Sequence, residues 1–135
     1  MAEELIASNI EEEYEILASY TGSELEMMEY EPLYSFKKLD GKAYFVTCDG
    51  YVTTSDGTGI VHIAPAFGAD DALVGKKYKL PFLQLVDNRG QMTAETTWAG
   101  TFCKDADKEI IKDLNMRGLL FKVIPFEHSY PFCWR

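Results

Sequence analysis

The order of hydrophobic and polar residues changes period along this chain, and the change separates strand-like from helix-like stretches. Alternating stretches, or stretches rich in β-branched and aromatic residues, predict six strands, at residues 14–20, 25–30, 43–48, 59–64, 81–86 and 119–124. The Asp-Asn-Arg-Gly run at residues 87–90 predicts a turn that reverses the chain into a hairpin. The pattern indicates a mixed class in which strands and helices alternate.

Three stretches predict helices, at residues 2–13, from after Gly68 to near Lys77, and at residues 106–117. The last has the clearest signals, because Ala106, Ile110 and Leu114 recur every four residues. Asp105 is its predicted N-cap, and Gly118 suits the left-handed position that often ends a helix.

Length and composition favour one soluble globular domain. The chain has 135 residues, enough for one hydrophobic core, and its 47% hydrophobic and 26% charged residues argue against disorder and against a fibrous repeat. No apolar run approaches the roughly 20 residues that span a bilayer, and the acidic amino terminus is unlike the basic start of a secretory signal. We therefore expect a single domain, residues 1–135, in the cytoplasm.

The net charge argues against a chain that binds nucleic acid by itself, and the cysteines argue against a disulfide-stabilised domain. A net charge of -9 works against a chain that grips a nucleic-acid backbone by itself, because phosphate binding needs clustered Lys and Arg. Cys48, Cys103 and Cys133 are widely spaced and odd in number, so they predict no disulfide framework and suggest a reducing compartment. Any contact with RNA must then depend on surfaces elsewhere.

Residues 56–71 combine the groups from which a small-ligand site could be built. A strand that contains His62, a loop with a proline and a helix start with Asp70 and Asp71 bring backbone N–H groups and carboxylates to one place. Adjacent helical positions point in different directions, so the two acids are not expected to act as an acid–base pair, and the inward one could hold an ammonium group. By spacing alone, however, acids in a first turn usually just favour the helix dipole, and a histidine in an apolar strand is usually a core residue.

A family resemblance changes that balance. The run Gly57-Thr-Gly-Ile-Val-His-Ile-Ala-Pro-Ala-Phe-Gly-Ala-Asp-Asp71 resembles the hallmark segment of the editing domain of isoleucyl-tRNA synthetases, which has close relatives in the valyl and leucyl enzymes. Later segments resemble the same family in the same order, at residues 78–81, 86–90, 98–100, 106–111, 119–122 and 128–135. The resemblance covers residues 14–135.

The resemblance implies a fold and a reaction. The fold would be α+β, a barrel-like, twisted and mostly antiparallel sheet with short flanking helices. The reaction would be hydrolysis of valine mis-attached to isoleucine tRNA. Valine differs from isoleucine by one methylene, and a missing methylene lowers binding to a hydrophobic pocket by only about 1 to 3 kcal/mol. Isoleucyl-tRNA synthetases are the usual example of this limit, and they need a hydrolysis step because binding alone does not exclude valine. The attacking group would be a positioned water, helped by the terminal ribose hydroxyl.

The resemblance also implies site residues and partners. Asp71 and His62 are the candidate catalytic residues, Asp71 as the anchor of the substrate's α-ammonium group and His62 as a wall of the amino-acid pocket, and neither as a nucleophile. The other candidate substrate-binding residues are Gly57, Thr58, Gly59, Ala64, Pro65, Ala66, Phe67, Gly68 and Asp70. Expected partners are the aminoacylated 3′ end of isoleucine tRNA and the remainder of the synthetase chain, with no membrane and no DNA.

The departures from the family pattern define what the chain is expected to lack. The threonine-rich strand that forms the other pocket wall in the family has no match here, and Thr53 and Thr54 are interpreted as ordinary strand or turn residues. We therefore expect a partial editing domain with weak or absent deacylation on its own. The two signatures that handle ATP in such synthetases are also missing, so the chain is not expected to activate an amino acid.

Editing is expected to need no cofactor and no metal in this chain, whereas the resemblance implies ATP in the full-length enzyme and leaves a zinc site open. In the family, the position of Cys133 begins a Cys-x-x-Cys pair, the kind of spacing from which a zinc site could be built. With His128 as its only nearby partner, Cys133 is predicted to be a free thiol. Two alternatives stay open, an editing fragment of a valyl-tRNA synthetase and a catalytically silent module that binds an amino acid or a protein.

Overall fold

Helices are the only regular elements in residues 1–125, the part of the chain that the computed structural model describes. A 3-10 turn at Glu3–Leu5 leads into α1 (Ile6–Asn9), and two longer helices follow, α2 (Ala69–Tyr78) and α3 (Cys103–Met116). The chain divides into two compact units, Met1–Gln84 and Leu85–Arg135, and residues 85–125 of the second unit are described. Helix α2 belongs to the first unit and α3 to the second.

The expected barrel-like, mostly antiparallel sheet is wrong for residues 1–125, which contain no β-strand, sheet or barrel. The described residues form three isolated antiparallel bridges, Glu29 with Phe45, Val86 with Met92 and Gln91 with Phe102. None of the six expected strands forms, at residues 14–20, 25–30, 43–48, 59–64, 81–86 or 119–124. The α+β class is corrected to a chain with helices and irregular segments over the described residues.

The bridge between Glu29 and Phe45 shows one physical reason why a ladder does not lengthen. Around it, the N–H of Tyr30 donates to the carbonyl of Tyr44 and the N–H of Val46 to the carbonyl of Met28, both at 2.9 Å. Met27 and Tyr44, however, have left-handed φ angles of 66° and 61°. A strand needs consecutive residues in the extended region, so these two residues end the pairing on either side.

Residues 14–20 show a second reason. Their strand-like alternation has no backbone partner within residues 1–125, and every side chain from residue 11 to residue 20 is exposed, with Leu17 at 87%. Strand propensity largely expresses how well a side chain fits a pleated, half-buried surface. Within the described part of the chain, residues 14–20 have no such surface to pack against, so their strand propensity does not stabilise an extended strand.

The N-terminal helix is shorter than the expected residues 2–13. Leu5 is buried, α1 ends at Asn9, and Ile10 is extended with φ -117° and ψ 118°. The next residues, Glu11 to Glu13 with Glu15, would place like charges within one turn of each other, and such pairs oppose helix extension.

Helix α2 confirms the helix expected after Gly68. It ends at Tyr78, where Lys79 takes a left-handed φ of 55° and closes the last turn. Val74, at 2% exposed, is its most buried side chain. Gly75 lies against the ring of Pro65, since an added Cβ at Gly75 would be 3.0 Å from the Pro65 Cβ and Cγ atoms. This close approach fixes the preceding loop against the helix.

In the second unit, the turn at residues 87–90 is confirmed. Gly90 donates from its N–H to the carbonyl of Asp87 at 2.9 Å, and Asp87 donates to the carbonyl of Gln91 at 2.8 Å. The Asp87 carboxylate accepts from the backbone N–H groups of Gln91 and Arg89, and these bonds lower the pKa of Asp87. The chain therefore reverses here with one bridge, Val86 to Met92, beside the turn.

Helix α3 begins three residues before its expected start. Its N-cap is Phe102, and Asp105 lies in the first turn, so the prediction of Asp105 as N-cap is wrong. Phe102 is already held in extended conformation by its bridge to Gln91, and Cys103 donates to the carbonyl of Gly90 at 2.8 Å. The helix starts where this pairing ends. Gly118 follows it at φ 67°, as expected, and Ala106 is fully buried.

Candidate functional site

The loop at residues 64–68 turns tightly into α2. The N–H groups of Phe67 and Gly68 both donate to the carbonyl of Ala64, at 2.9 and 3.3 Å. Gly68 is the N-cap, and it has no side chain to accept from the first helical N–H groups. Backbone donors at this helix start are therefore open to partners from elsewhere in the chain.

Asp71 reaches back from the first turn and closes this loop. Its Oδ2 atom accepts from the N–H of Ala64 at 3.1 Å. The carboxylate also lies against Gly68, because an added Cβ at Gly68 would be 2.6 Å from Oδ2 of Asp71. The acid therefore fixes the loop to the helix, and the glycine leaves room for it.

Tyr51 supplies the second hydrogen bond to the same carboxylate. Its hydroxyl donates to Oδ1 of Asp71 at 3.1 Å. Burial, followed by this hydrogen bond, raises the pKa of Tyr51. The ordinary pKa of a tyrosine already lies well above neutral pH, so the phenol is protonated there and able to donate. Each oxygen of Asp71 thus has one donor, one from the loop and one from a distant segment.

Residues 48–51 are also bound to the C-terminal end of α2. The hydroxyl of Tyr78 accepts from the N–H of Cys48 at 3.0 Å, and Lys77 donates from Nζ to the carbonyl of Cys48 at 3.0 Å. Lys77 also forms an ion pair with Asp49 at 3.4 Å. The segment is therefore tied to both ends of the helix, which fixes where Tyr51 can place its hydroxyl.

Sequence reasoning missed Tyr51 as a site residue. Asp71 and the loop that it closes are contiguous in sequence, so their proximity follows from the turn into a helix. Tyr51 lies 20 residues before Asp71. No spacing rule links two residues at that separation outside a regular element, and the only local signal was a tyrosine next to a turn.

Three of the other expected site residues, Asp70, Phe67 and His62, are exposed. Asp70 is exposed, as the adjacent positions on a helix require when Asp71 turns inward, and Phe67 is 60% exposed. His62 is also exposed and forms no hydrogen bond with another residue of the described part of the chain. The structure therefore joins Asp71 to Ala64 and Gly68 but places no bond between His62 and that group.

The turn at Gly57, Thr58 and Gly59 is covered by the chain's own N-terminal residues. Asn9 donates from Nδ2 to the carbonyl of Gly57 at 2.8 Å, and the N–H of Ala2 donates to the carbonyl of Thr58 at 2.8 Å. An added Cβ at Gly59, whose φ is 71°, would be 2.6 Å from the Ala2 Cβ. These glycines permit a left-handed turn and a close approach of the N-terminal segment.

Known proteins that resemble the chain are isoleucine–tRNA ligases, although no family model matches it. The isoleucine–tRNA ligase of Clostridium kluyveri is 46% identical over the whole chain, and that of Clostridium acetobutylicum is 48% identical over 93% of it. The enzyme of Streptomyces coelicolor is 43% identical over the whole chain. The chain is a homologue of one segment of isoleucine–tRNA ligases. It spans 12% to 13% of the length of these relatives.

This similarity to isoleucine–tRNA ligases confirms the resemblance seen in the sequence. Within residues 1–125 no three His, Cys, Asp or Glu residues are grouped as metal ligands, and His128 and Cys133 lie outside the described residues. Cys48 and Cys103 are free thiols. No helix of the described part combines the length and the apolar character of a membrane span.

Proposed function

We propose that this chain is a partial editing domain of an isoleucine–tRNA ligase and takes part in hydrolysing valine mis-attached to isoleucine tRNA. The support is the match of ligases to the whole chain, together with the carboxylate at the loop–helix junction of residues 64–71. The aminoacylated 3′ end of isoleucine tRNA is the proposed substrate, and the remainder of the ligase is the proposed partner.

The carboxylate of Asp71 is the observation on which the proposal depends. A carboxylate offers about four acceptor positions, and Tyr51 and Ala64 use one on each oxygen. One position on each oxygen stays open to an ammonium group. A negative charge in a half-buried place is stabilised by such a partner more than a fully exposed one would be. Asp71 can therefore bind the α-ammonium group that every aminoacyl ester carries.

The remaining roles follow from the same assignment. His62 would help to shape the amino-acid pocket, and Ala64, Pro65, Ala66, Phe67 and Gly68 would line its loop side, with Gly57, Thr58, Gly59 and Asp70 nearby in sequence. Hydrolysis would use a positioned water. Editing would need no cofactor or metal from this chain, and ATP would serve other parts of the ligase.

The charge distribution supports a division of work between this chain and the rest of the ligase. Residues 1–36 contain ten glutamates and no Lys or Arg. Such a stretch repels phosphates, because backbone binding depends on neutralising them with basic side chains. The body of the tRNA would therefore be held by other surfaces, and only its aminoacylated end would reach Asp71.

The test is a deacylation time course with valine-charged and isoleucine-charged isoleucine tRNA, using a ligase that carries this segment. Asp71→Ala should abolish most hydrolysis of the valyl ester. Asp105→Ala is the matched control, because it removes the same charge from the first turn of another helix, at an exposed position outside the proposed pocket, and should retain hydrolysis. Equal activity in both variants and the parent would overturn the proposal.

A catalytically silent amino-acid-binding module is the second candidate. It is favoured by the hydrogen bonds that Asn9 and Ala2 form with Gly57 and Thr58, since these carbonyls are then already occupied. A silent module would bind a valyl ester analogue through Asp71 but would show no hydrolysis in any variant. Valine-ester clearance that depends on Asp71 rules this candidate out.

A further inference from the structure

We propose that Tyr51 is a positioning residue of the editing site, whose hydroxyl holds the Asp71 carboxylate in the orientation that receives the substrate's α-ammonium group. This inference rests on the proposed function. It adds a residue from outside residues 57–71, the run that resembles the hallmark segment of the editing domain.

The first support is the distribution of donors around Asp71. Rotation about the last torsion of an aspartate is soft and roughly two-fold, so one hydrogen bond leaves the plane of the carboxylate poorly defined. Here Oδ2 accepts from Ala64 at 3.1 Å and Oδ1 accepts from Tyr51 at 3.1 Å. Two donors on two different oxygens fix the plane and the direction of the open acceptor positions.

The second support is that Tyr51 is itself held in place. The segment before it is bound to the far end of α2, where the N–H of Cys48 donates to the hydroxyl of Tyr78 and the carbonyl of Cys48 accepts from Nζ of Lys77, both at 3.0 Å. The hydroxyl of Tyr51 therefore comes from a frame that is anchored on the same helix as Asp71. A donor anchored in this way can orient its acceptor, whereas one on a free loop would follow it.

The third support is the charge of the donor. A tyrosine hydroxyl is neutral, so it orients the carboxylate without neutralising the charge that an ammonium group needs. The acids around it, Asp71 first and then Asp49 and Asp70, raise the pKa of Tyr51 further in the direction that burial already sets. A lysine or arginine in this place would form an ion pair with Asp71 and compete with the substrate.

The experiment compares two esters in a ligase that carries this segment. One is valine-charged isoleucine tRNA, and the other is the same tRNA charged with 2-hydroxyisovalerate, which has a hydroxyl in place of the ammonium group. The variants are Tyr51→Phe, Asp71→Asn and the double variant, with Tyr20→Phe as the control because Tyr20 is 65% exposed.

Loss of one hydrogen bond to a charged group should lower kcat/KM for the valyl ester about tenfold in Tyr51→Phe, mainly through KM. The same variant should act on the hydroxy ester as the parent does. In the Asp71→Asn background, Tyr51→Phe should have no further effect, because a residue that acts through Asp71 has nothing left to orient.

The outcomes separate this inference from the proposed function. If Asp71→Asn lowers valyl-ester hydrolysis and Tyr51→Phe does not, the role of Tyr51 is overturned and the editing assignment stands. Equal losses on both esters in Tyr51→Phe also overturn it, since a merely structural role affects both. If Asp71→Asn itself leaves valyl-ester hydrolysis intact, the proposed function fails, and the role of Tyr51 fails with it.

Discussion

Gly68→Ala tests the geometry of the Asp71 carboxylate directly. The backbone of Gly68, at φ -107° and ψ 140°, is one that alanine adopts without strain. Its new Cβ, however, would lie 2.6 Å from Oδ2 and 2.8 Å from Cγ of Asp71. Atoms at those distances overlap, so the carboxylate must rotate away from the loop.

The cost of that rotation can be worked from the bonds that it breaks. Moving Oδ2 away gives up the hydrogen bond from the N–H of Ala64, now 3.1 Å long. A hydrogen bond to a charged group contributes about 1.5 to 3 kcal/mol, and the partial exposure of Asp71 favours the lower end. We expect the collision to lower the free energy of unfolding by about 1.5 kcal/mol.

A double-mutant cycle isolates this term from the weaker capping tendency of alanine, which acts in any background. In Asp71→Ala the carboxylate is gone, and the remaining Asp71 Cβ would be 3.2 Å from the new one, a contact that a small shift relieves. Gly68→Ala should therefore cost about 1.5 kcal/mol more in the parent than in Asp71→Ala.

The measurement is urea unfolding followed by far-ultraviolet circular dichroism, with equal m-values across the four chains of the cycle. Gly50→Ala is the matched control, because nothing lies within 4 Å of its added Cβ. It should be neutral or stabilise the chain by up to about 1 kcal/mol. A coupling energy below about 0.5 kcal/mol would refute the position assigned to the Asp71 carboxylate.

Two further predictions concern one element in each unit. Val74 is 2% exposed, and Val74→Ala should lower the free energy of unfolding by about 2 kcal/mol. Leu73 is 68% exposed, and Leu73→Ala should change the free energy of unfolding by less than about 0.5 kcal/mol. Similar losses for the two variants in urea unfolding would contradict the packing of α2. In the second unit, the lowered pKa of Asp87 stabilises the folded turn above the ordinary value of 3.8, and this contribution is lost as the pH falls through the lower folded-state pKa. Asp87→Asn should lack this loss of stability in acid. An NMR chemical-shift titration of residues 87–91, in the parent and in Asp87→Asn, measures the difference. Identical acid titrations of the turn in the two proteins would contradict the role given to the Asp87 carboxylate.

The elements that sequence reasoning placed correctly are those with local causes. Helix α2 follows from a first turn with two acids, the turn at residues 87–90 from its Asp-Asn-Arg-Gly run, and the end of α3 from Gly118. In each case the residues that determine the conformation are within a few positions of it. Hydrogen bonds at such short separation depend mainly on the local residues and little on distant partners.

The strands failed because pairing is a non-local property. Alternation marks segments that could pair, but it does not provide a partner or keep φ extended at the next residue. Met27 and Tyr44 break the extension beside the one bridge of the first unit. The start of α3 moved for a related reason, since the pairing of Phe102 with Gln91 replaced the side-chain cap that Asp105 was expected to supply.

The candidate site shows the same division. Its contiguous part, from Ala64 to Asp71, could be proposed from the sequence, whereas Tyr51 required the structure because it is brought in by contacts at the opposite end of α2. The single-domain prediction and the functional roles of the site residues stay predictions.

Asp71 also shows why structural and functional roles of an acid in a first helical turn need not exclude each other. Asp70 and Asp71 share the same interaction with the helix dipole, which is worth about 0.3 to 1 kcal/mol for either. Only Asp71 adds bonds to Ala64 and Tyr51, so the difference in unfolding free energy between Asp70→Ala and Asp71→Ala measures its role in fixing the loop. Those bonds leave one acceptor position open on each oxygen. A ligand role would therefore appear as a loss of valyl-ester hydrolysis that exceeds what the lost stability explains. Asp71→Asn keeps the shape of the side chain and removes its charge, so it separates the structural contribution of Asp71 from its contribution to ligand binding.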